Sequence, residues 1–286
     1  MADFPRTVVG GVSMPRMIIG TNWFLGYSHS TAAKDALITG TFNEYKKLAD
    51  VVEVFLGAGV DAIMGFGRNP LVQAGVHEAE QRVGRKCLIV STPTLPVTAQ
   101  TPSQGFDMDE IRSLLDAEAA CGATLCMPHT SSTDALVDGC TREVRQMAPV
   151  FAEMRERGLV PGLSTHLPQT IVYTDETGLD AETYISIYNA MGFLMPLEVD
   201  WTHRIITNAR KPVITIKPMA AGHIRPFQAF HFVWSTLRPQ DMVTVGTFTP
   251  DEAKECIDLS VSILEGRQAD LTLQETRSKA AVKTAK

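Results

Sequence analysis

The sequence has 286 residues, of which 44% are hydrophobic and 20% charged, and its formal net charge is −6. The length is close to the roughly 250 residues of one (β/α)₈ barrel, and the composition is that of a globular domain with ample core. A net negative charge with scattered lysines and arginines excludes a nucleic-acid-binding surface. No apolar stretch reaches the ~20 residues that span a bilayer, so a membrane protein is excluded as well.

The N-terminus lacks the charged and then apolar pattern of a secretory signal. The five cysteines are odd in number and have no metal-ligand spacing, which is typical of free thiols in a reducing compartment. We therefore expect a cytoplasmic protein whose partner is a small molecule.

The first predicted element is a β-hairpin over residues 7–15. Gly10 and Gly11 lie between β-branched residues, a pattern that favours a tight turn between two strands. A hairpin ahead of the first barrel strand would cap the bottom of a barrel.

Eight short apolar runs then alternate with helical segments. Near-continuous apolar runs are typical of parallel strands that are covered on both faces. The alternation predicts an α/β fold, the (β/α)₈ TIM barrel, whose active site lies at the carboxyl ends of the strands. The eight runs are residues 17–22, 62–66, 87–92, 124–129, 160–166, 193–198, 213–217 and 242–246.

The pattern between these runs predicts helices and two long loops, residues 23–41 and 93–105, of a length that is usually functional. The predicted helices cover residues 44–56, 74–83, 107–120, 142–157, 182–190, 201–209, 222–237 and 250–264. Residues 1–265 are expected to form one barrel domain. Residues 266–286 are expected to be a flexible tail or an arm that contacts a second copy in a homo-oligomer.

Several segments carry a resemblance to a known family. They are the Gly-Gly hairpin leading into residues 18–21, and residues 57–61, 126–129, 162–166, 211–222 and 245–252. On these segments the chain resembles the aldo/keto reductases. The resemblance implies a barrel with a hairpin at its bottom, an active-site histidine at His129, and NAD(P)H as the cofactor.

The chain departs from that family in the residues that carry its chemistry. The family uses a Tyr acid, tuned by an Asp and a Lys, beside the histidine, but residues 63–68 and 91–93 contain none of the three. Protonation of a carbonyl oxygen then has no evident donor. The family's basic nucleotide-binding cluster is also missing, although the helix N-terminus at Thr249 can attract a phosphate. The departures argue against the usual reaction.

Three candidate residues end successive predicted strands, namely His129, His166 and Glu198. Adjacent strands lie roughly 4.8 Å apart, so the three side chains are expected to converge. Two histidines and a glutamate form an accepted ligand set for a divalent metal with open positions. The alternative is that the histidines only hydrogen-bond the surrounding loops.

Lys217 ends a predicted strand of core-like residues. An interior lysine among apolar neighbours has a lowered pKa and can act as a base or form a Schiff base. An ion pair with Glu198 is the alternative. Of the two carboxylates near that strand end, Glu198 is the better base, and Asp200 is better placed to cap the next helix.

Three further residues are predicted to contact a substrate. Arg68 follows a glycine-flanked loop and would clamp a carboxylate or phosphate, with a solvated arginine as the alternative. Asn22 would hydrogen-bond a small polar ligand. Trp23 would stack on it or simply pack in a lid.

The sequence by itself favours a non-redox enzyme, a lyase, isomerase or hydrolase. It would perform acid/base chemistry, metal-assisted or not, on a small carbonyl compound or a sugar. His129 would polarise the substrate oxygen, Glu198 or His166 would move a proton, and Lys217 would stabilise the developing anion. The first alternative is a divergent NAD(P)H-dependent reductase with another donor in place of the Tyr. The second is a non-catalytic barrel that binds a metabolite.

Overall fold

The computed structural model describes residues 3–269, together with Thr276 and Lys279. It begins with the predicted hairpin, formed by the antiparallel strands β1 (Arg6–Val9) and β2 (Val12–Pro15). Gly10 and Gly11 join them with φ of +54° and +83°, which the two-residue hairpin turn requires and which L side chains rarely adopt. Val9 and Met14 are buried against the barrel interior, so the hairpin closes the bottom of the barrel as expected.

The remaining strands follow the predicted order of the barrel, with one small hairpin added. They are β3 (Met17–Gly20), β4 (Ala62–Gly65), β5 (Leu88–Ser91), β6 (Ala123–Cys126), β7 (Val137–Asp138), β8 (Glu143–Val144), β9 (Val160–Pro161), β10 (Leu163–Ser164), β11 (Tyr184–Ile187), β12 (Val213–Ile216) and β13 (Met242–Val245). All of them except the β7–β8 hairpin belong to one parallel sheet. The predicted (β/α)₈ barrel is confirmed.

The barrel closes through a strand that is split at Gly162. The segment β9 pairs with β6 on one side, and β10 pairs with β11 on the other. The Gly162 amide donates to the Cys126 carbonyl at 3.1 Å, and the next amide, that of Leu163, donates to the Thr183 carbonyl at 3.1 Å. A Cβ on Gly162 would lie 2.8 Å from the Thr183 carbonyl oxygen, so only glycine fits at this point.

Helices surround the barrel and bury their apolar faces against it. They are α1 (Ala32–Thr41), α2 (Tyr45–Gly57), α3 (Pro70–Val83), α4 (Thr101–Gln104), α5 (Met108–Ala120), α6 (Thr130–Thr133), α7 (Met147–Glu156), α8 (Gln169–Thr177), α9 (Val199–Asn208), α10 (Pro226–Thr236) and α11 (Pro250–Leu264). None of the helices in the described residues is long and apolar enough to cross a membrane. Two apolar layers result, one inside the barrel and one between the barrel and the helices.

The predicted sixth barrel strand is wrong. Residues 193–198 form an irregular connection, and the strand is β11, inside the segment for which a helix was predicted. Tyr184, Ile185 and Ile187 are buried, as a strand covered on both faces requires, whereas Leu194 is 51% exposed. The apolar run after β11 is interrupted by Gly192, with φ of +69°, and by Pro196.

Other predicted boundaries change as well. The helix predicted from residue 74 begins at Pro70, the loop predicted over residues 93–105 contains α4, and α8 was not predicted. The loop predicted over residues 23–41 contains α1, whose N-cap Thr31 accepts a hydrogen bond from the Lys34 amide. The helix predicted from residue 142 starts at Met147, because β7 and β8 precede it. The division into a domain over residues 1–265 and a tail over 266–286 stays a prediction, since most of that tail lies outside the described residues.

Candidate functional site

A cavity of about 610 Å³ opens at the carboxyl ends of the barrel strands, where enzymes of this architecture have their active sites. The part of the cavity at the strand ends, which we call the mouth throughout, is lined by His29, His129, His166 and Lys217. Its outer arm runs between the loop after β12 and the start of α11. The two parts form one continuous space.

Lys217 follows β12 directly and points into the mouth. Its φ is +62°, a left-handed conformation that costs free energy in a residue other than glycine and that is found preferentially at functional sites. The Nζ atom lies 3.3 Å from Nε2 of His29, the one hydrogen-bond partner it has among the described residues. Burial lowers the pKa of Lys217 to about 8, so the amine is charged at neutral pH but gives up its proton readily.

The expected placement of Glu198 is wrong, because the strand that was to carry it lies elsewhere. Glu198 is exposed and directly precedes α9, and it does not line the cavity. It makes no ion pair with Lys217 or any other described residue. Asp200 lies in the first turn of α9, where a negative charge favours the helix dipole.

The predicted metal ligands are therefore not brought together. His129 and His166 line the mouth, but Glu198 is absent from it. Over residues 3–269 and the two described tail residues, no group of three or more His, Cys, Asp or Glu side chains is arranged to hold a metal ion. The expectation of a divalent metal on these three residues is not supported.

His129 ends the short connection after β6 and is the N-cap of α6. Its Nδ1 accepts a hydrogen bond from the Ser131 amide at 3.3 Å and lies 2.8 Å from the Ser131 hydroxyl. Burial lowers the pKa of His129. The carboxylate of Asp134 raises that pKa and the charge of Lys217 lowers it, both by smaller amounts than burial does. In the neutral ring with Nδ1 accepting, the proton is on Nε2, so that nitrogen is the donor available to a ligand.

His166 is held by its backbone and leaves its ring free. Its amide donates to Oδ2 of Asp134 at 3.1 Å, and the same carboxylate accepts hydrogen bonds from the hydroxyls of Thr130 and Thr165. The His166 imidazole makes no hydrogen bond to the described residues. Burial, together with the positive charge of Lys217, lowers the pKa of His166 to about 4, so the ring is neutral at physiological pH.

His29 is the mouth residue that sequence reasoning missed. It lies in the loop after β3 with φ of +56°, and its Nε2 is 3.2 Å from Nδ2 of Asn22 as well as 3.3 Å from Nζ of Lys217. Since both neighbours are donors, Nε2 is the acceptor. Strand periodicity carries no signal for a residue in such a loop. The loop's length and its aromatic residues were the only indications that it packs over the site.

The predicted substrate-contact residues separate into two groups. Asn22 and Trp23 line the cavity, and Trp23 packs on Gly246, where a Cβ would lie 2.8 Å from the indole Cδ1. Arg68 lies outside the cavity, because its Nε forms an ion pair at 2.7 Å with Oε1 of the buried Glu118. Arg68 therefore anchors its own loop.

The outer arm carries charges of both signs. Lys34 and Arg225 line it, and neither forms an ion pair with any described residue. The Lys34 ammonium lies 5.2 Å from the ring centroid of Trp23 and 5.3 Å from that of Phe248. Glu252 and Glu255 line the arm on the side of α11.

The N-terminus of α11 is already capped, contrary to the expectation that it is free to attract a phosphate. Thr249 Oγ1 accepts from the Glu252 amide at 3.1 Å, and Glu252 Oε2 accepts from the Phe248 amide at 2.7 Å. This pair resembles a capping box, except that the carboxylate accepts from the amide of the residue before the N-cap. An anion in the outer arm would therefore meet the side chains of Lys34 and Arg225 rather than free amides of α11.

Comparison with known proteins identifies the fold. No protein-family model and no curated protein matches the sequence. Among solved structures, a Pseudomonas aeruginosa protein assigned to the aldo-keto reductases aligns with a TM-score of 0.65 and 14% identity over 92% of this chain and 99% of its own. An aldo/keto reductase from Brucella melitensis aligns with a TM-score of 0.56 and 14% identity over 92% and 99% of the two chains.

The similar structures are mostly described as aldo-keto reductases, although the BexX/CysO complex of Amycolatopsis orientalis also matches, with a TM-score of 0.55 and 13% identity over 96% of this chain and 100% of that one. The chain thus has the fold of the aldo-keto reductases, as its sequence resemblance implied, with divergent sequence. The preference for a lyase, isomerase or hydrolase was wrong, since the structures that share the fold favour the oxidoreductase alternative.

Proposed function

We propose that the protein is a nicotinamide-dependent carbonyl reductase in which Lys217 takes over the proton transfer that the family's tyrosine performs. The observation that carries the proposal is the continuity of the cavity. It joins a mouth with a proton donor, Lys217, to an outer arm with two cations, Lys34 and Arg225, that form no ion pair with the described residues.

The outer arm fits a dinucleotide. Lys34 and Arg225 would hold the pyrophosphate, because phosphates are bound by cationic side chains that have no other partner. The carboxylates of Glu252 and Glu255 would accept hydrogen bonds from ribose hydroxyls. Gly222, with φ of +91°, lines the arm, and a Cβ built on it meets nothing within 4 Å, so the loop after β12 leaves room for a ligand.

The chain's own residues supply binding and proton transfer. The Nε2–H of His129 donates to the substrate carbonyl oxygen and orients it beside Lys217. Lys217 then gives a proton to that oxygen as the alcohol forms, and its neutral amine regains a proton from solvent. Asn22 and His29 hold the lysine in place through the His29 Nε2. A reduced nicotinamide held in the outer arm by Lys34 and Arg225 would supply the hydride for the carbonyl carbon.

The first experiment measures nucleotide binding directly. Purified protein is titrated with NADH and with NADPH, and the quenching of tryptophan fluorescence and the shift of Tm are recorded, since Trp23 lines the cavity. We expect saturable quenching by at least one nucleotide. We also expect it to weaken about tenfold or more in Arg225→Ala, because a charge-assisted contact to phosphate is lost.

Arg210→Ala is the matched control. Arg210 lies in the connection between α9 and β12, at the opposite end of that strand from the mouth, and does not line the cavity. Its variant should bind nucleotide as the wild type does. Absence of any response to millimolar nucleotide would refute the reductase proposal and leave a barrel that binds a metabolite without redox chemistry.

A further inference from the structure

The mouth of the cavity has an excess of positive charge that the described residues do not neutralise. Lys217 is half-buried there, and its ammonium makes one hydrogen bond to the described residues, to His29 Nε2 at 3.3 Å. The lining carboxylates among the described residues, Glu252 and Glu255, both lie on α11 at the outer arm. An ammonium that is partly removed from water and has no counter-ion is costly, so an anionic ligand would stabilise it.

Two carboxylates of the described residues lie close to the mouth residues, and neither pairs with Lys217. Asp35 accepts hydrogen bonds from the Ser28 amide at 2.9 Å and the Ser28 hydroxyl at 2.6 Å. Both oxygens of Asp134 accept hydrogen bonds, Oδ1 from the Thr165 hydroxyl and Oδ2 from the Thr130 hydroxyl and the His166 amide. Asp134 forms no ion pair with Lys217. It therefore fixes the loops that carry His129 and His166, and it leaves the charge of the lysine available to a ligand.

Four N–H groups in the mouth have no partner among the described residues. An ammonium has three N–H groups, and His29 accepts one of them from Lys217, which leaves two. His129 offers Nε2–H, and the His166 ring has no partner among the described residues. A ketone oxygen alone would use two of these donors and would leave the charge unpaired.

We infer that the substrate is a 2-oxo acid, whose carboxylate and adjacent carbonyl oxygen are held by the same lysine. This inference rests on the proposed function and names its substrate class. One N–H of Lys217 donates to the carbonyl oxygen, which also accepts a hydrogen bond from His129. The other contacts the carboxylate, to which the His166 ring also donates. The product is then a 2-hydroxy acid, and the carboxylate stays ionised throughout.

The test uses pyruvate and its methyl ester, which present the same ketone with and without a negative charge. Affinities are measured by isothermal titration calorimetry on the full chain without nucleotide. We expect pyruvate to bind about tenfold or more tightly than methyl pyruvate, and Lys217→Met to abolish that difference, because a charge-assisted pair is lost. Lys211→Met is the control, since Lys211 pairs with Glu182 at 2.8 Å outside the cavity.

A second variant separates this inference from the reductase proposal. Lys217→Arg keeps the charge but cannot give up a proton, so it should retain the preference for pyruvate and lose reduction. Equal affinities for pyruvate and its ester in the wild type would overturn the substrate class while leaving nucleotide binding intact. An adduct on Lys217 trapped by cyanoborohydride would also overturn it, because it would show an imine in place of an ion pair.

Discussion

The Nζ atom of Lys217 lies 3.3 Å from Nε2 of His29, although the two residues are 188 positions apart in the sequence. Both residues have left-handed backbone conformations, with φ of +62° and +56°. The contact joins the loop after β3 to the end of β12, strands that are separated in the barrel by β13 alone. It fixes the amine on which the proposed proton transfer and the proposed substrate binding both depend.

Replacing Lys217 with Met should remove activity and preserve the fold. A general acid contributes roughly 10²–10⁴-fold to a rate, so reduction should fall by about that factor. Met has a similar shape and no charge to bury, so the Tm should stay the same or rise. Steady-state kinetics and a thermal melt measure the two effects. Retention of full turnover with an unchanged melt would remove Lys217 from the mechanism.

The pH profile of reduction should have a single descending limb. The pKa of Lys217 is lowered to about 8, so the donor is protonated below that pH and lost above it. The pKa of His166 is lowered to about 4, so its ring stays neutral down to that region and imposes no acidic limb at higher pH. Rates of reduction measured from pH 5 to pH 10 should fall above about pH 8. An optimum above pH 9 would point to a different donor.

Stability should decrease in acid because of His166. Its pKa is lowered to about 4 in the folded protein from an unfolded value of 6.5, so the unfolded chain binds the extra proton first. The free energy of unfolding therefore falls as the pH drops from 6.5 to 4, by about 1–2 kcal/mol from this partly exposed group. Urea unfolding of wild type and His166→Asn at pH 7 and pH 4.5 tests this. The asparagine variant should lose less stability between the two pH values, and equal losses would contradict the assignment.

Adding a side chain at Gly162, where the barrel strand is split, should destabilise the barrel. A Cβ at Gly162 would lie 2.8 Å from both the Thr183 carbonyl oxygen and Cε of Met127, and backbone cannot retreat cheaply. Gly162→Ala should cost about 1–3 kcal/mol of unfolding free energy. Gly57→Ala, at the end of α2 with nothing within 4 Å of the new Cβ, is the control and should be neutral or stabilising. Chemical denaturation of both variants gives the comparison, and a smaller loss at Gly162 than at Gly57 would refute the steric account.

The local pattern of the sequence determined most of the barrel. Runs such as those at β3, β12 and β13 contain only apolar residues, glycine and threonine, since each strand is covered on both faces. The N-cap Thr249 and Pro250 at the first helical position marked α11. The same rule failed at β11. There a buried strand has polar residues on either side of it, and a longer apolar run follows in a connection broken by Gly192 and Pro196.

The position of each side chain at the mouth was decided by tertiary structure. His129, His166 and Lys217 were predictable because they end strands, and parallel strands bring their carboxyl ends to one edge. The placement of Glu198 was wrong because the strand predicted to carry it is a connection. Arg68 does not reach the cavity because it pairs with the buried carboxylate of Glu118. The role of His29 could not be predicted from the sequence, because a loop residue follows no hydrophobic periodicity. Its contact with Lys217 forms only when the sheet closes into a barrel.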